Sequence, residues 1–372
     1  MENVKINAYQ LFVIMVLFEH GSALVISLGS GAKQDAWITI LTGMILGIFL
    51  FLLYNRLYLY YPNIPFTSYV QKIVGSFLGK ILAFVYILYF FYLSARVLRD
   101  FGELLITFAY PNTPEFIINA IMILTVIYAI HKGIEVLTRT GEIFFFFLYL
   151  LAISGFVLVV ASGLIDLNRL KPILDEGAMK IFQVTFTQTL YVPYGEMIAF
   201  TMILNYLNNP VKAKWIGISA MALSGVNLAI SMGVNISVLG VDLVSRAPFP
   251  LLTTIQRIQV ADFLERLDVF FLLAVIIGGF FKISIFFYAG VIGTADLFKI
   301  SKHKKLVYPL GLVILFLSMT IASNFSEHIK EGLVIVPLYL HLPMQVIIPS
   351  LLLVIAIFKN RKSKKKKTEA AI

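Results

Sequence analysis

Glu19, Glu196 and Lys282 are the residues of this sequence best suited to chemistry, because each is a charge set in a long apolar run. Glu19 opens the tetrapeptide Glu19-His20-Gly21-Ser22, and Glu196 closes the hexapeptide Tyr191-Val192-Pro193-Tyr194-Gly195-Glu196. Lys282 stands near the middle of the apolar stretch Val269 to Gly293. A charge at the centre of a bilayer costs at least about 2.5–3.5 kcal/mol and is seldom left facing lipid. Lys282 is therefore expected to face an interior cavity or a carboxylate, with Glu19 and Glu196 as the available partners. Such a pair can be a fixed structural ion pair, can occupy the place of a bound cation, or can take part in proton coupling.

The elements that carry these charges contain their own breakers. Pro193 removes a backbone donor and clashes with the preceding turn, while Gly21, Gly195 and the run Gly29-Ser30-Gly31 permit dihedrals that unwind a helix. Interrupted helices in corresponding positions of two halves are the best sequence pointer to a transporter-like binding site near mid-membrane. The competing reading is a pair of kinked helices with small residues at a crossing point. The site predicted on the first reading comprises Glu19, His20, Gly21, Ser22, Pro193, Gly195, Glu196 and Lys282, with Tyr92, Tyr191 and Tyr194 closing over a ligand side chain. An amino acid would place its carboxylate on the free amides of Gly21 and Ser22 and its ammonium group on Glu196 or Glu19.

Composition requires lipid around all of this. Of the 372 residues 59% are apolar and only 13% charged, and the apolar residues gather in runs of helical length. Runs such as Ile143 to Val160 are apolar all round, which excludes the alternation of a membrane β-barrel. In lipid a helix satisfies its own backbone, so the reading is an all-α polytopic membrane protein. About ten spans are predicted, near 6–28, 37–60, 80–108, 115–131, 142–163, 181–206, 213–239, 263–297, 306–323 and 333–358. They form one transmembrane domain, 1–358, of two five-span halves (about 6–163 and 181–358) in an inverted repeat with the first and sixth spans discontinuous. A basic tail, 359–372, follows. The connections 164–180 and 240–262 are expected to be loops or small interfacial helices.

Nineteen of the 30 lysines and arginines fall on the side that holds both termini, eight on the other side, and three inside spans. Both termini are accordingly expected in the cytoplasm. The tail from Lys359 to Lys367 is read as a contact for anionic lipid headgroups, not for nucleic acid, because no aromatic residues interleave its charges. Arg96, Arg99, Asp100 and Glu103 have the spacing of local ion pairs, 96 with 100 and 99 with 103, as do Asp262 and Arg266. Cysteine is absent, no metal-ligand spacing or phosphate loop appears, and most histidines read as loop or interfacial residues. No cofactor, metal or catalytic activity is expected.

Several short motifs stand between these spans: GAKQDAW from Gly31 to Trp37, YPNTPEF from Tyr110 to Phe116, KGIEVLTR from Lys132 to Arg139, APFP from Ala247 to Pro250, and VADFLERLD from Val260 to Asp268. In this order, over nearly the whole chain, they resemble the B subunits of the GerA-type nutrient germinant receptors of endospore-forming bacteria, within the amino acid/polyamine/organocation transporter superfamily. The resemblance implies a subunit of the spore inner membrane that binds an amino acid, sugar or nucleoside. It also implies a receptor A subunit and a lipoprotein C subunit as partners, and ligand binding that triggers germination. Glu19-His20 departs from the small residues common in the first helix of that family. The alternative function is a proton-coupled amino acid transporter.

Overall fold

The computed structural model describes residues 4–258 and 267–369. The motif from Val260 to Asp268 and the Asp262–Arg266 spacing fall largely or wholly outside the described residues. α1 (Ala8–His20) starts from a capping box in which Asn7 and Gln10 satisfy each other's backbone amides, and it stops at Gly21 after only 13 residues. The chain continues through a single 3-10 turn, Ser22–Leu24, and a left-handed Gly29 into a second 3-10 segment, Ser30–Asp35. α2 (Ala36–Tyr60) then crosses unbroken, and the short α3 (Phe66–Val74) packs against α4 (Ser76–Phe108). α5 (Glu115–Lys132) and α6 (Ile134–Ala161) complete the first five spans.

The second five begin with α7 (Ala178–Val184), which passes into a π turn, Thr185–Thr189, breaks around Pro193 and resumes as the 3-10 segment Tyr194–Met202. α8 (Ala213–Leu239) is followed by two small helices, α9 (Val241–Arg246) and α10 (Pro250–Ile255), in the connection expected to hold them. α11 (Leu267–Leu297) and α12 (Lys304–Thr320) lead to α13 (Phe325–Lys330). Two π-helical stretches, Glu331–Ile335 and Pro337–Ile347, join α13 to α14 (Ile348–Glu369). The last span thus begins at Pro337, about a turn later than predicted, and is irregular through its first half, around Pro337 and Pro343.

Seven helices among the described residues are long and apolar enough to cross a membrane, and α12 with the segment after it makes an eighth, bent by 103°. The first and sixth spans complete the expected ten, and they escape the count because each is interrupted. α1 lies at the centre, packed on α6, α8 and α11, while the pairs α4 with α11 and α2 with α8 flank it. A parallel bridge ties the start of the chain to the end of the sixth span: the Ile6 amide donates to the Tyr206 carbonyl (2.9 Å) and Asn208 donates back to Ile6 (3.0 Å).

Two motifs serve the packing. Gln34 donates to the Pro172 carbonyl (2.9 Å), Asp35 accepts the Leu174 amide (3.0 Å), and Lys33 pairs with Glu176 (2.6 Å), so Gly31 to Trp37 anchors the loop between the halves. Lys33 also holds the Glu176 carboxyl below its ordinary range. Phe249 of the APFP motif wedges its ring between Phe108 and Phe325.

The local ion pairs expected on α4 do not form. Arg99 pairs with Glu115 of α5 (2.9 Å), Arg96 reaches Glu331 (3.7 Å), and Asp100 takes His328 (2.8 Å). Burial is the reason: these side chains lie on the face of α4 that meets its neighbours, where a partner from another helix is nearer than one along the same surface. Removing one member of a buried pair strands the other, which costs about 3–5 kcal/mol. Thermal unfolding of the detergent-solubilised protein should therefore give a coupling of at least about 1 kcal/mol in an Arg99→Met, Glu115→Gln double-mutant cycle. The matching cycle of Arg99 with Glu103 should come out near zero.

Candidate functional site

The site is built where the two breaks meet α11. At Gly21, where α1 ends, nothing larger fits: a Cβ there would stand 2.7 Å from the Cβ of Lys282, and Gly278 on α11 faces it from one turn away. The close crossing and the interruption of the helix therefore fall on the same residue. Lys282 points inward and its Nζ lies 2.5 Å from Glu196 Oε2, with the lysine fully buried and the glutamate 5% exposed. The Phe18 ring centroid is 5.4 Å from the same ammonium group, a cation–π contact that adds to the pair in a dry setting. Glu19 is also fully buried, with the Ser224 hydroxyl alongside.

The break in the sixth span is held by side chains from three other spans. The Tyr54 hydroxyl is placed between two carbonyls, those of Gly195 (3.2 Å) and Gln345 (2.7 Å). Gln345 donates through Nε2 to the Tyr89 hydroxyl (2.8 Å), which meets His341 Nδ1 (2.8 Å). A Cβ on Gly195 would run into the Gln345 side chain, so glycine is what admits this network. Buried backbone groups left by an unwound helix need such partners, and here each donor and acceptor of the network lies in the interior. The first span is treated alike farther along, where the Gly29 amide donates to Gln188 Oε1 (2.9 Å).

Above this layer lies a second polar layer. The Arg96 guanidinium donates to the His328 carbonyl and to the Tyr92 hydroxyl (3.3 Å) and faces Glu331, while Asp100 holds the His328 ring. Between the layers is a space of about 40 Å³ lined by Ser22, Val192 and Glu196 from the breaks, Arg96 and Asp100 from α4, and His341 from the last span.

The residues expected at the site are thus distributed. Ser22 and Glu196 line the space, and Lys282 is joined to it through Glu196. Pro193, in a cis peptide bond, and Gly195 form the break itself, while the Tyr191 ring is 6.3 Å from that of His341. Tyr92 is occupied by Arg96, and Tyr194 donates to the Ile40 carbonyl (3.2 Å) on α2, away from the space. His20 turns toward α8, where its Nε2 meets Asn227 (3.3 Å). The Gly21 amide is already given to the Phe18 carbonyl (3.2 Å), so it is not one of the free amides expected there.

Sequence reasoning missed Tyr89, His341 and Gln345, and it read His328 and His341 as loop or interfacial residues; both are fully or almost fully buried. A signal was present, since His341 and Gln345 stand four apart between Pro337 and Val346 in an otherwise apolar span interrupted by two prolines. Arg96 and Asp100 were noticed but assigned to each other.

Residues 5–326 match the family model described as Spore germination protein. Spore germination protein KB of Bacillus subtilis (strain 168) is 51% identical over 371 residues, covering 100% of both chains. Spore germination protein YndE of the same organism is 26% identical, covering 89% of this chain and 90% of its own. Among solved structures, MhsT in complex with L-phenylalanine has a TM-score of 0.72 at 14% identity, covering 96% of this chain and 89% of that one. Mhp1, a nucleobase-cation-symport-1 family transporter in a closed conformation with bromovinylhydantoin bound, has a TM-score of 0.64 at 14% identity, covering 86% and 73%. The fold is therefore the one this chain shares with MhsT and Mhp1, and the chain, a multi-pass membrane protein, belongs to the Spore germination protein family.

Proposed function

We propose that this chain is the ligand-binding membrane subunit of a spore nutrient germinant receptor, that its nutrient is an amino acid, and that the nutrient is recognised between the two helix breaks. The observation that carries the reading is the meeting of both breaks at one small space faced by charges of both signs, Arg96 against Asp100 and Glu196. A zwitterion matches that arrangement, carboxylate toward Arg96 and ammonium toward Glu196. Two solved proteins of the same fold hold small molecules, L-phenylalanine in one and bromovinylhydantoin in the other, which supports a site of this class. The full-length similarity to a spore germination protein favours sensing over transport.

The space of about 40 Å³ is smaller than an amino acid, so binding requires the outer layer to part: α13 and the π turn that follow Asn324 carry His328 and Glu331 away from Arg96. A ligand that binds the parted form better shifts the population toward it, and that bias is what passes to neighbours. The neighbours in this reading are the receptor A subunit and the lipoprotein C subunit in the spore inner membrane. Both termini lie in the cytoplasm, where α14 carries the basic stretch from Lys359 to Lys367 toward anionic headgroups.

Spores lacking only this gene should lose germination, followed as the fall in optical density, on one class of nutrient in a panel of amino acids, sugars and nucleosides, and regain it with the intact gene. Loss on sugars alone would remove the amino acid from the proposal. Glu196→Gln should raise the nutrient concentration for half-maximal germination by roughly tenfold or more, as expected for a charge-assisted contact, and because it also strands the buried Lys282 the response at saturation should fall in step with the amount of protein recovered from membranes. An unshifted dose-response curve takes Glu196 out of the ligand site. Lys282→Met leaves Glu196 buried without its cation, so the variant should be recovered from membranes at a few per cent of the normal level, and Lys282→Met with Glu196→Gln should restore part of that yield. Equal recovery of the single variant and the parent protein would mean the pair contributes nothing to folding.

A further inference from the structure

A second cavity lies on the opposite side of α1 from the space between the breaks. It has a volume of about 300 Å³ and is walled by α1, α6, α8, α10 and α11. That is about twice the roughly 150 Å³ of an engineered apolar cavity that binds benzene, and at the lower end of the range of small-molecule pockets. Its mouth opens between α6 and α8, where Ile153 and Ile230 are 62% and 48% exposed on surfaces that face lipid. At the opposite end Phe271 closes against Gly155.

The wall is apolar apart from Ser231, from Thr254, whose hydroxyl donates to Asn235 Oδ1 (2.8 Å), and from one hydrogen-bonded trio of His20, Tyr149 and Asn227. His20, 7% exposed, donates from Nδ1 to the Val16 carbonyl (2.8 Å), which makes its Nε2 the acceptor for Asn227 Nδ2 (3.3 Å). The other hydrogen of Asn227 Nδ2 goes to the Tyr149 hydroxyl oxygen (2.7 Å). Each group's donor and acceptor count then leaves two functions unused among the described residues: the hydroxyl hydrogen of Tyr149 and the carbonyl oxygen of Asn227. One donor and one acceptor, side by side in an apolar pocket, are the complement of a single alcohol.

We propose that this cavity is a lateral binding site for a small bilayer-dissolved alcohol, with an aryl or alkyl body of about two rings in the pocket and its hydroxyl between Tyr149 and Asn227. The hydroxyl accepts from the Tyr149 O–H and donates to Asn227 Oδ1. Access is through the lipid, since the apolar mouth lies at membrane depth and a molecule that partitions into the bilayer reaches it without crossing water. The occupant touches Val16, Leu17, His20 and Leu24, on both sides of the break at Gly21, so it modulates how the first span is held from the face opposite the nutrient site.

The test uses delipidated full-length protein in detergent and the fluorescent probe 2-(1-naphthyl)ethanol, with 1-propylnaphthalene as the isostere that lacks the hydroxyl. Saturable one-to-one binding of the alcohol is expected. Tyr149→Phe should weaken the alcohol about tenfold, the loss of one hydrogen bond, and leave the hydrocarbon unchanged. Ala152→Phe and, separately, Ser231→Phe should abolish binding of both by filling the pocket, with elution as a single monodisperse species as the control for folding. Equal affinity of alcohol and hydrocarbon, or binding unchanged in both filled variants, overturns the site as described. Displacement of the probe by stoichiometric phosphatidylcholine also overturns it, in favour of a resident acyl chain.

Discussion

A lysine buried at the middle of a membrane dictates much of this structure. Lys282 cannot snorkel from the centre of α11, so a carboxylate has to come to it at the same depth. Glu196 arrives on a segment whose helix is interrupted just before it, and Gly21 lets α1 pass close enough to shut the pair away. Interruption then creates its own demand, because unwound backbone in lipid must find partners. Tyr54, which also donates to the Gln345 carbonyl of the last span, and Gln188 supply them, each from a different part of the chain. One charge thus propagates into a polar interior that joins five spans.

The irregular winding of the last span belongs to the same chain of causes. A regular helix through Pro337 and Pro343 would lose the backbone bonds those prolines cannot make. The π-helical stretch instead frees the Met344 and Gln345 carbonyls to accept the Tyr86 (2.6 Å) and Tyr54 (2.7 Å) hydroxyls, and turns His341 and Gln345 onto Tyr89. A π bulge with side chains inserted at a helix break is a common mark of a functional site. Here it places a ring nitrogen and an amide within reach of the sixth span.

Span number, the two interruptions and the Lys–Glu pairing were legible in the sequence, for one reason: in lipid, polarity is so costly that each exception points to a partner. The partners themselves were legible only where the candidates were few and none lay along the same helix. For Lys282 there were two carboxylates at breaks, and one of them is the partner. For Arg96 and Arg99 the sequence offered neighbours four residues away, whereas the packing offered Glu331 and Glu115 from other spans, and burial decided for the latter. His341 escaped notice because hydropathy measures how apolar a span is and not how it is wound. Tyr194 stands two residues from Glu196, but a 3-10 segment separates side chains two apart by well over a right angle, and Tyr194 faces α2.

The two ends of the site are closed by different kinds of contact, and that difference bears on sensing against transport. Toward the start of the chain, closure is by backbone: Ile6 exchanges hydrogen bonds with Tyr206 and Asn208, and the Lys5 ammonium donates to the Asn205 carbonyl (3.2 Å). Toward α13, closure is by side chains, with Arg96 and Asp100 gripping a six-residue helix that lies just past the 103° bend after α12. Alternating access needs both ends to open in turn, and the backbone-paired end resists because its hydrogen bonds would break together. A sensor needs only the side-chain end to yield, and a six-residue helix held through the Arg96 and Asp100 side chains can part from them without breaking backbone pairing between spans. On the reading proposed above, the interrupted first and sixth spans then need to open at a single end only to report a bound solute.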